Sequence, residues 1–212
     1  MEMFFAPGKG ECYYQWMMAL PSGKIDCYPW SSPYRNYRKM DDFIRGEVAP
    51  VPGGFGVYMF IPWDLVYDKL PKDGDLWTFG LISWSRGGGF TWGSGQVHDL
   101  NKFGKIRFTG VSKFLPAIKR AIVMKAFGNY KKSSASAATF WKDEVKGDLD
   151  FSNKTLLPEM EKLNELGKLV RPEMSQAEAD MLFEKAVPNW MEFDYRVSEL
   201  RSEFITNNLF AN

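Results

Sequence analysis

The sequence is poor in the residues from which most catalytic and metal sites are built. Its 212 residues include one histidine, His98, and two cysteines, Cys12 and Cys27. A single imidazole excludes any site that needs two, and two thiols exclude a multi-cysteine zinc site and a disulfide-built scaffold. Cys12 and Cys27 read as buried thiols, or as one disulfide if the protein is exported. Charge of one sign is lacking too. The chain has 27 basic and 26 acidic residues, a net charge of +1, so no electrostatic footprint for nucleic acid is visible. No apolar run reaches the roughly 18 residues of a membrane-spanning helix. Met1–Phe5 has neither the basic region nor the apolar core of a signal peptide.

Catalytic signatures are missing as well. There is no Gly-x-Ser-x-Gly, no Gly-x-x-x-x-Gly-Lys-Ser/Thr and no His-Glu-x-x-His. The run from Gly87 to Gly95 is glycine-rich, but Phe90 and Trp92 obstruct a phosphate nest and no lysine follows. It reads as a hairpin loop. Asp41-Asp42 and Asp73-Gly74-Asp75 read as solvated turns, and nothing selects two carboxylates facing across a cleft. His98 beside Asp99 has the composition of a base with an orienting acid, but a lone histidine is more often a polar core or surface residue. The expectation is a protein that is not an enzyme, with no catalytic residues, metal or cofactor.

What the sequence has is aromatic side chains, 16% of residues, with eight Trp. They are not spread evenly. Residues 1–110 hold 16 of the 19 Gly, 8 of the 12 Pro and six of the eight Trp. That half predicts short strands between tight turns: Glu2–Phe5, Tyr13–Leu20, Gly56–Ile61, Leu76–Ser85 and Ile106–Thr109. Pro29–Met40 predicts an ordered loop. Residues 111–212 predict helices, with apolar stripes at 3–4 spacing through Leu115–Ala126, Ser134–Val145 and Leu156–Leu169. Ser175-Gln-Ala-Glu178 is a capping box, and a further stripe runs from Leu182 to Phe204 across Pro188, which must kink or split it. Strands first and helices after predict an α+β chain, a β-sandwich-like unit at 1–110 and a helical region at 111–212.

Aromatic rings in glycine-rich loops are hard to bury. Exposed rings beside Arg86, Gln96 and Asp99 suit a sugar: the C–H face of a pyranose stacks on indole, and its hydroxyls pair with planar polar groups. For Trp92 and Trp84 a sugar-binding role and a core role both stay open.

These residues also resemble a known family. Met1-Glu2-Met3-Phe4 followed by Tyr13-Tyr14-Gln15-Trp16 is similar to the "V-E-I-F … Y-Y-Q-F" strand pair of family 9 carbohydrate-binding modules. Val57–Trp63 resembles that family's "E-V-A-I-P-W" strand, and Leu76–Gly80 its "W-G-F-N" strand. Phe90-Thr91-Trp92 followed by His98–Phe108 resembles its closing "S-W … P-x-x-F-G-x-L-x-F". The resemblance covers residues 1 to about 110 and implies a non-catalytic antiparallel β-sandwich that binds glycans and accompanies polysaccharide degradation. It implies that Glu2 contacts a sugar hydroxyl. The family's arginine on the next strand falls at about Met17. One of its two clamping Trp falls before Met1, and the other falls at Val97-His98, with Trp92 the nearest substitute. In the family several strands precede "V-E-I-F", so the resemblance also implies a sandwich without its first strands and an uncovered apolar sheet face.

The expectations are therefore a glycan-binding surface made by Glu2, Trp84, Arg86, Phe90, Trp92 and His98, and helices or a second copy of the chain covering the open sheet face. The alternative is a structural or interaction protein whose sugar site has degenerated. Such a module is extracellular or periplasmic where its full gene supplies an upstream signal peptide.

Overall fold

Strands form where the sequence alternates about β-branched and aromatic residues, and each keeps one row of side chains for each face of a sheet. The computed structural model describes residues 1–8, 13–19, 22–30, 45–63, 69–85, 87–92, 98–143 and 157–209. The chain divides into two units, Met1–Lys113 and Phe114–Asn212. The first holds the strands β1 (Glu2–Ala6), β2 (Tyr13–Met18), β3 (Ile25–Trp30), β4 (Arg45–Val51), β5 (Gly54–Phe60), β6 (Leu76–Ser85), β7 (Gly88–Trp92) and β8 (Gly104–Arg107). The second holds the helices α1 (Leu115–Asp143), α2 (Leu157–Gly167), α3 (Gln176–Lys185) and α4 (Val187–Leu209). The protein is α+β, with antiparallel sheets first and helices after.

Six strands form one antiparallel sheet in the order β3-β2-β1-β6-β7, with β8 paired to β6 beside β7's end of the same edge. The register decides which side chains share a face. Met3 pairs with Trp16 and with Leu81, and Phe5 with Tyr14 and Phe79. Met3, Phe5, Tyr14, Trp16, Met18 and Phe79 therefore point to one side. Upon Tyr14, Trp16 and Met18 pack Val48, Val57, Met59, Ile61 and Trp63, carried by the β4–β5 hairpin and the residues after it. This hairpin is the second, smaller layer.

The other face carries Glu2, Phe4, Gln15 and Ile82. Phe4 and Ile82 are fully buried there under Phe103, with Tyr13 and Leu100 beside them. Gly80 lets this happen. A Cβ on Gly80 would lie 2.8 Å from the Phe103 ring, inside van der Waals contact. The apolar face expected to lie open is thus occupied by the unit's own residues on both sides of β1.

Three strands were not legible. β4 and the start of β3 have no clean alternation, and Pro29 and Trp30, expected in a loop, belong to β3. The rest of that expected loop lies outside the described residues. The third miss is β7, where Gly88–Trp92 is strand although a loop was expected over Gly87–Gly95; residues 93–95 lie outside the described residues. Ser85 pairs with Gly88, so Gly88 and Gly89 continue the sheet as strand. Gly89 sits opposite Trp84, and a Cβ there would come within 2.9 Å of the indole. Glycine in this strand makes room for a cross-strand ring rather than for a loop.

In the helical unit the first expected stripe and the second as far as Trp141 lie on one helix, α1, which buries Ile122, Val123, Ala126, Tyr130 and Ala137; Val145 lies outside the described residues. The capping box forms as expected: Ser175 accepts from the Glu178 amide and Glu178 accepts from the Ser175 amide. Pro188 splits the long stripe. It falls in the first turn of α4, where a missing amide costs nothing, and α3 ends at Lys185 with Ala186 as its C-cap. Among the described residues no helix is long and apolar enough to cross a membrane.

Candidate functional site

Of the six residues singled out from the sequence, the five that are described do not converge. Side chains directly opposite each other in an antiparallel pair share a face, and neighbours along a strand do not. Ile82 pairs with Glu2 and with Thr91, so Trp84, two residues on, shares their face. Leu81 pairs with Trp92 and Ser83 with Phe90. Phe90 and Trp92 therefore point to the opposite side of the sheet from Trp84 and Glu2. Trp92 is no substitute for a clamping ring beside Glu2. Arg86 lies outside the described residues.

Trp84 is 53% exposed, and its indole lies across Gly89. Glu2 stands one diagonal step away on β1, a spacing of roughly 7–8 Å between Cα atoms. Its Oε2 accepts a hydrogen bond of 3.1 Å from the Gln15 amide on β2, which holds the carboxylate against the sheet. Oε1 has no partner among the described residues. Met17, where the family resemblance leads one to expect arginine, is the direct cross-strand neighbour of Glu2. The surface is thus an exposed indole on β6 and a half-buried carboxylate on β1, which the buried Gln15 carboxamide of β2 braces. Gln15 was not singled out from the sequence. Its signal was available in the "Y-Y-Q" motif, but register was needed to put it beside Glu2.

His98 shares this face but sits toward its other end. Its ring meets Phe4 edge-on at 5.4 Å, and its Nδ1 lies 3.0 Å from the Tyr13 hydroxyl. His98 has φ +71°, a left-handed conformation uncommon outside glycine. These contacts fasten the start of the segment that carries Leu100 and Phe103 over the core. They give His98 an anchoring role some distance from Trp84.

On the opposite face Phe90 is 79% exposed and Trp92 is 50% exposed. Trp92 meets Phe79 edge-on at 5.4 Å and lies over Gly104, where a Cβ would come within 2.6 Å of the indole. Beyond Phe79 an apolar cavity of about 120 Å³ is lined by Met3, Phe5, Trp16, Ile61, Trp63 and Phe79.

Asp73 is an engaged acidic side chain of this unit. It accepts from the amides of Val111 and Ser112 and from the Ser112 hydroxyl, capping the turn that follows β8. The Ser112 hydroxyl, ahead of those amides, holds its pKa below the usual aspartate value. That is a structural cap. Among the described residues no three His, Cys, Asp or Glu side chains gather as metal ligands. Comparison with protein-family models, curated proteins and solved structures finds no match. Assignment of a role therefore falls to the site's own geometry.

Proposed function

We propose that this protein binds glycans without catalysis, through the sheet face that carries Trp84, Glu2 and Gln15. The observation that supports the reading is an indole left half open on the same face as a carboxylate braced by a carboxamide. A pyranose resting its C–H face on Trp84 brings hydroxyls toward Glu2 Oε1. A carboxylate accepts two hydroxyl bonds in plane, and the Gln15 brace removes its rotational freedom before the ligand arrives. The family 9 resemblance supports the same reading, since Glu2 matches that family's sugar-contacting acid. Met17 stands at the family's arginine position and Val97-His98 at one of its clamping rings, so in this reading Trp84 is the ring on which the ligand rests.

Affinity electrophoresis and calorimetry against a panel of soluble plant and microbial polysaccharides test this. For any glycan that binds, Trp84→Ala is expected to weaken affinity by about 1–2 kcal/mol, tenfold or more. Glu2→Gln weakens it less, and Trp92→Ala, on the other face, leaves it unchanged. Equal binding by the Trp84→Ala and unaltered proteins refutes the placement.

One observation favours a second reading, an interaction protein. The outer face of the β4–β5 hairpin exposes Tyr58 and Phe60, with Val51 beside the turn. Light scattering across a concentration series checks it. A dimer that Phe60→Ser dissociates supports self-association through this face, and a monomer at every concentration removes it.

A further inference from the structure

One end of the sheet unit gathers exposed apolar side chains from separate turns. Met17 and Ile82 both pair with Glu2, so the turn after β2 and the β6–β7 connection lie at the same end of the large sheet. The β4–β5 hairpin points there as well. Trp63, just after β5, meets Trp77 and Phe108 toward the far end. Gly46 and Val48 lie beside the turn after β2: a Cβ on Gly23 would come 3.4 Å from the Gly46 carbonyl and 3.8 Å from Val48. Beyond Val48 the hairpin continues past that turn to its own tip at Pro52-Gly53. The tip is rigid, because proline fixes one φ and Gly53 takes +80°.

At both tips the exposed side chains stand on both faces. Val51 pairs with Gly54 and shares the outer side of the β4–β5 hairpin with Tyr58 and Phe60. Phe55 shares the inner side with Val57 and Met59, which pack on Tyr14, Trp16 and Met18. Yet Phe55 is 53% exposed, so it overhangs the core. At the β6–β7 tip Trp84 points to one side of the sheet and the exposed Phe90 to the other. A folded partner presents its surface to one side of a strand pair. A fluid medium closes round both, and aromatic rings favour the boundary of a bilayer.

The charge of this end fits the same partner. Residues 48–63 carry no charge at all, and residues 18–24 and 83–91 carry only Lys24 and Arg86. The turns thus bring two cations and no acid, the sign that anionic headgroups attract. We infer that this end of the sheet unit docks on an anionic lipid bilayer. Val51, Phe55 and Phe90 enter the interface, and the charge of Lys24 and Arg86 draws them to headgroup phosphates. The inference does not rest on glycan binding, and Trp84, which belongs to the sugar platform, is left unaltered in its test.

The test uses the full chain and sugar-free vesicles, of phosphatidylcholine alone or mixed equally with phosphatidylglycerol. Cosedimentation is expected to show binding to the mixed vesicles about tenfold tighter than to phosphatidylcholine, since each basic residue near an anionic surface contributes severalfold. Phe55→Ser and Phe90→Ser are each expected to weaken that binding about tenfold, through lost apolar burial. Both side chains are exposed, so both variants stay folded by circular dichroism. A measurement on the unaltered protein stands beside them. In bicelles of the mixed lipids, a spin-labelled lipid broadens the amide resonances of Gly53 and Gly88. It spares that of Gly74, which lies just before β6 at the opposite end of the sheet. No binding to mixed vesicles, equal binding to both kinds, full binding by both variants, or broadening at Gly74 as strong as at Gly53 overturns the inference. A dimer that Phe55→Ser dissociates, in place of vesicle binding, overturns it too and gives this end to a second copy of the chain.

Discussion

The two units treat their aromatic side chains in opposite ways. In the helical unit the largest core rings, Tyr130 and Trp190, are buried with their polar tips bonded, although Phe114 at its start is exposed. Tyr130 is fully buried between α1 and α2, and its hydroxyl lies within hydrogen-bond distance of the Met160 carbonyl and the Asn164 side chain. The Trp190 indole donates to the Leu163 carbonyl, and its ring meets Phe127 and Tyr130. In the sheet unit the buried Trp16 and Trp77 leave their N–H groups unbonded, while Phe55, Tyr58, Phe60, Trp84, Phe90 and Trp92 are substantially exposed. Where the rings are packed and bonded, the aromatic content serves stability. Where they stay open, they leave apolar surface available for contact.

The largest expected effect comes from removing a bonded, buried ring. Trp190→Ala is expected to destabilise the helical unit by about 3–5 kcal/mol, as large-to-small core changes do. Trp84→Ala, at an open ring, is expected to change stability by no more than about 0.5 kcal/mol. Denaturant unfolding of both variants checks the pair. Similar losses in the two would break the comparison.

Overpacking comes next, and it tests whether both units have tight cores beneath these different surfaces. A Cβ on Gly80 would press on Phe103 at 2.8 Å, and one on Gly167 would lie 2.2 Å from Phe127. Each alanine substitution is expected to cost about 1–3 kcal/mol. Gly53→Ala, with open space about the Cβ but φ +80°, separates steric crowding from backbone strain. Thermal melts that show no loss for Gly80→Ala mean that the Phe103 cover is loose.

A smaller effect isolates a single polar tip. Burial, with help from the negative Glu159, pushes the Tyr130 phenol up to about 12. Tyr130→Phe keeps the ring, removes the hydroxyl and is expected to cost about 0.5–1.5 kcal/mol. Ultraviolet titration should show one tyrosine that stays protonated after the others have ionised, and its loss in Tyr130→Phe assigns it.

How much of this was legible in the sequence follows from what each signal depends on. The split into strands and helices was legible, because glycine content and apolar period are local properties. The capping box was legible too, because Ser175 and Glu178 make it within one turn. β7 was missed because Gly88 and Gly89 looked like loop residues until Trp84 was known to lie across them. The site was half legible. Glu2 and Trp84 stood out by residue type, but Phe90 and Trp92 were joined to them by nearness in sequence. Strand alternation sends Leu81 and Ile82 to opposite faces, and their partners go with them. That information is carried by register, a long-range property that no single strand displays. The cavity was invisible for the same reason, since its six wall residues come from four separate segments.

The smallest effect concerns acid sensitivity and isolates one polar contact of the helical unit. The Glu178 carboxylate accepts from the Ser175 amide at 2.7 Å and from Arg171 at 2.7 and 3.0 Å. The Ser175 amide first, and then Arg171, pull its pKa from 4.5 down to about 2. A carboxyl that is more acidic folded than unfolded stabilises the fold once the unfolded form would also be ionised. Its contribution is therefore complete above about pH 4.5, declines between about 4.5 and 2, and is gone below. Glu178→Gln keeps a side chain able to accept from the cap amide but carries no charge to gain or lose. The melting temperatures of the two proteins, followed by far-ultraviolet circular dichroism, should differ most near neutrality and converge as pH falls through that window. A difference that stays constant from neutral to strongly acidic pH means that the cap holds Glu178 by shape alone, with no preference for the ionised form.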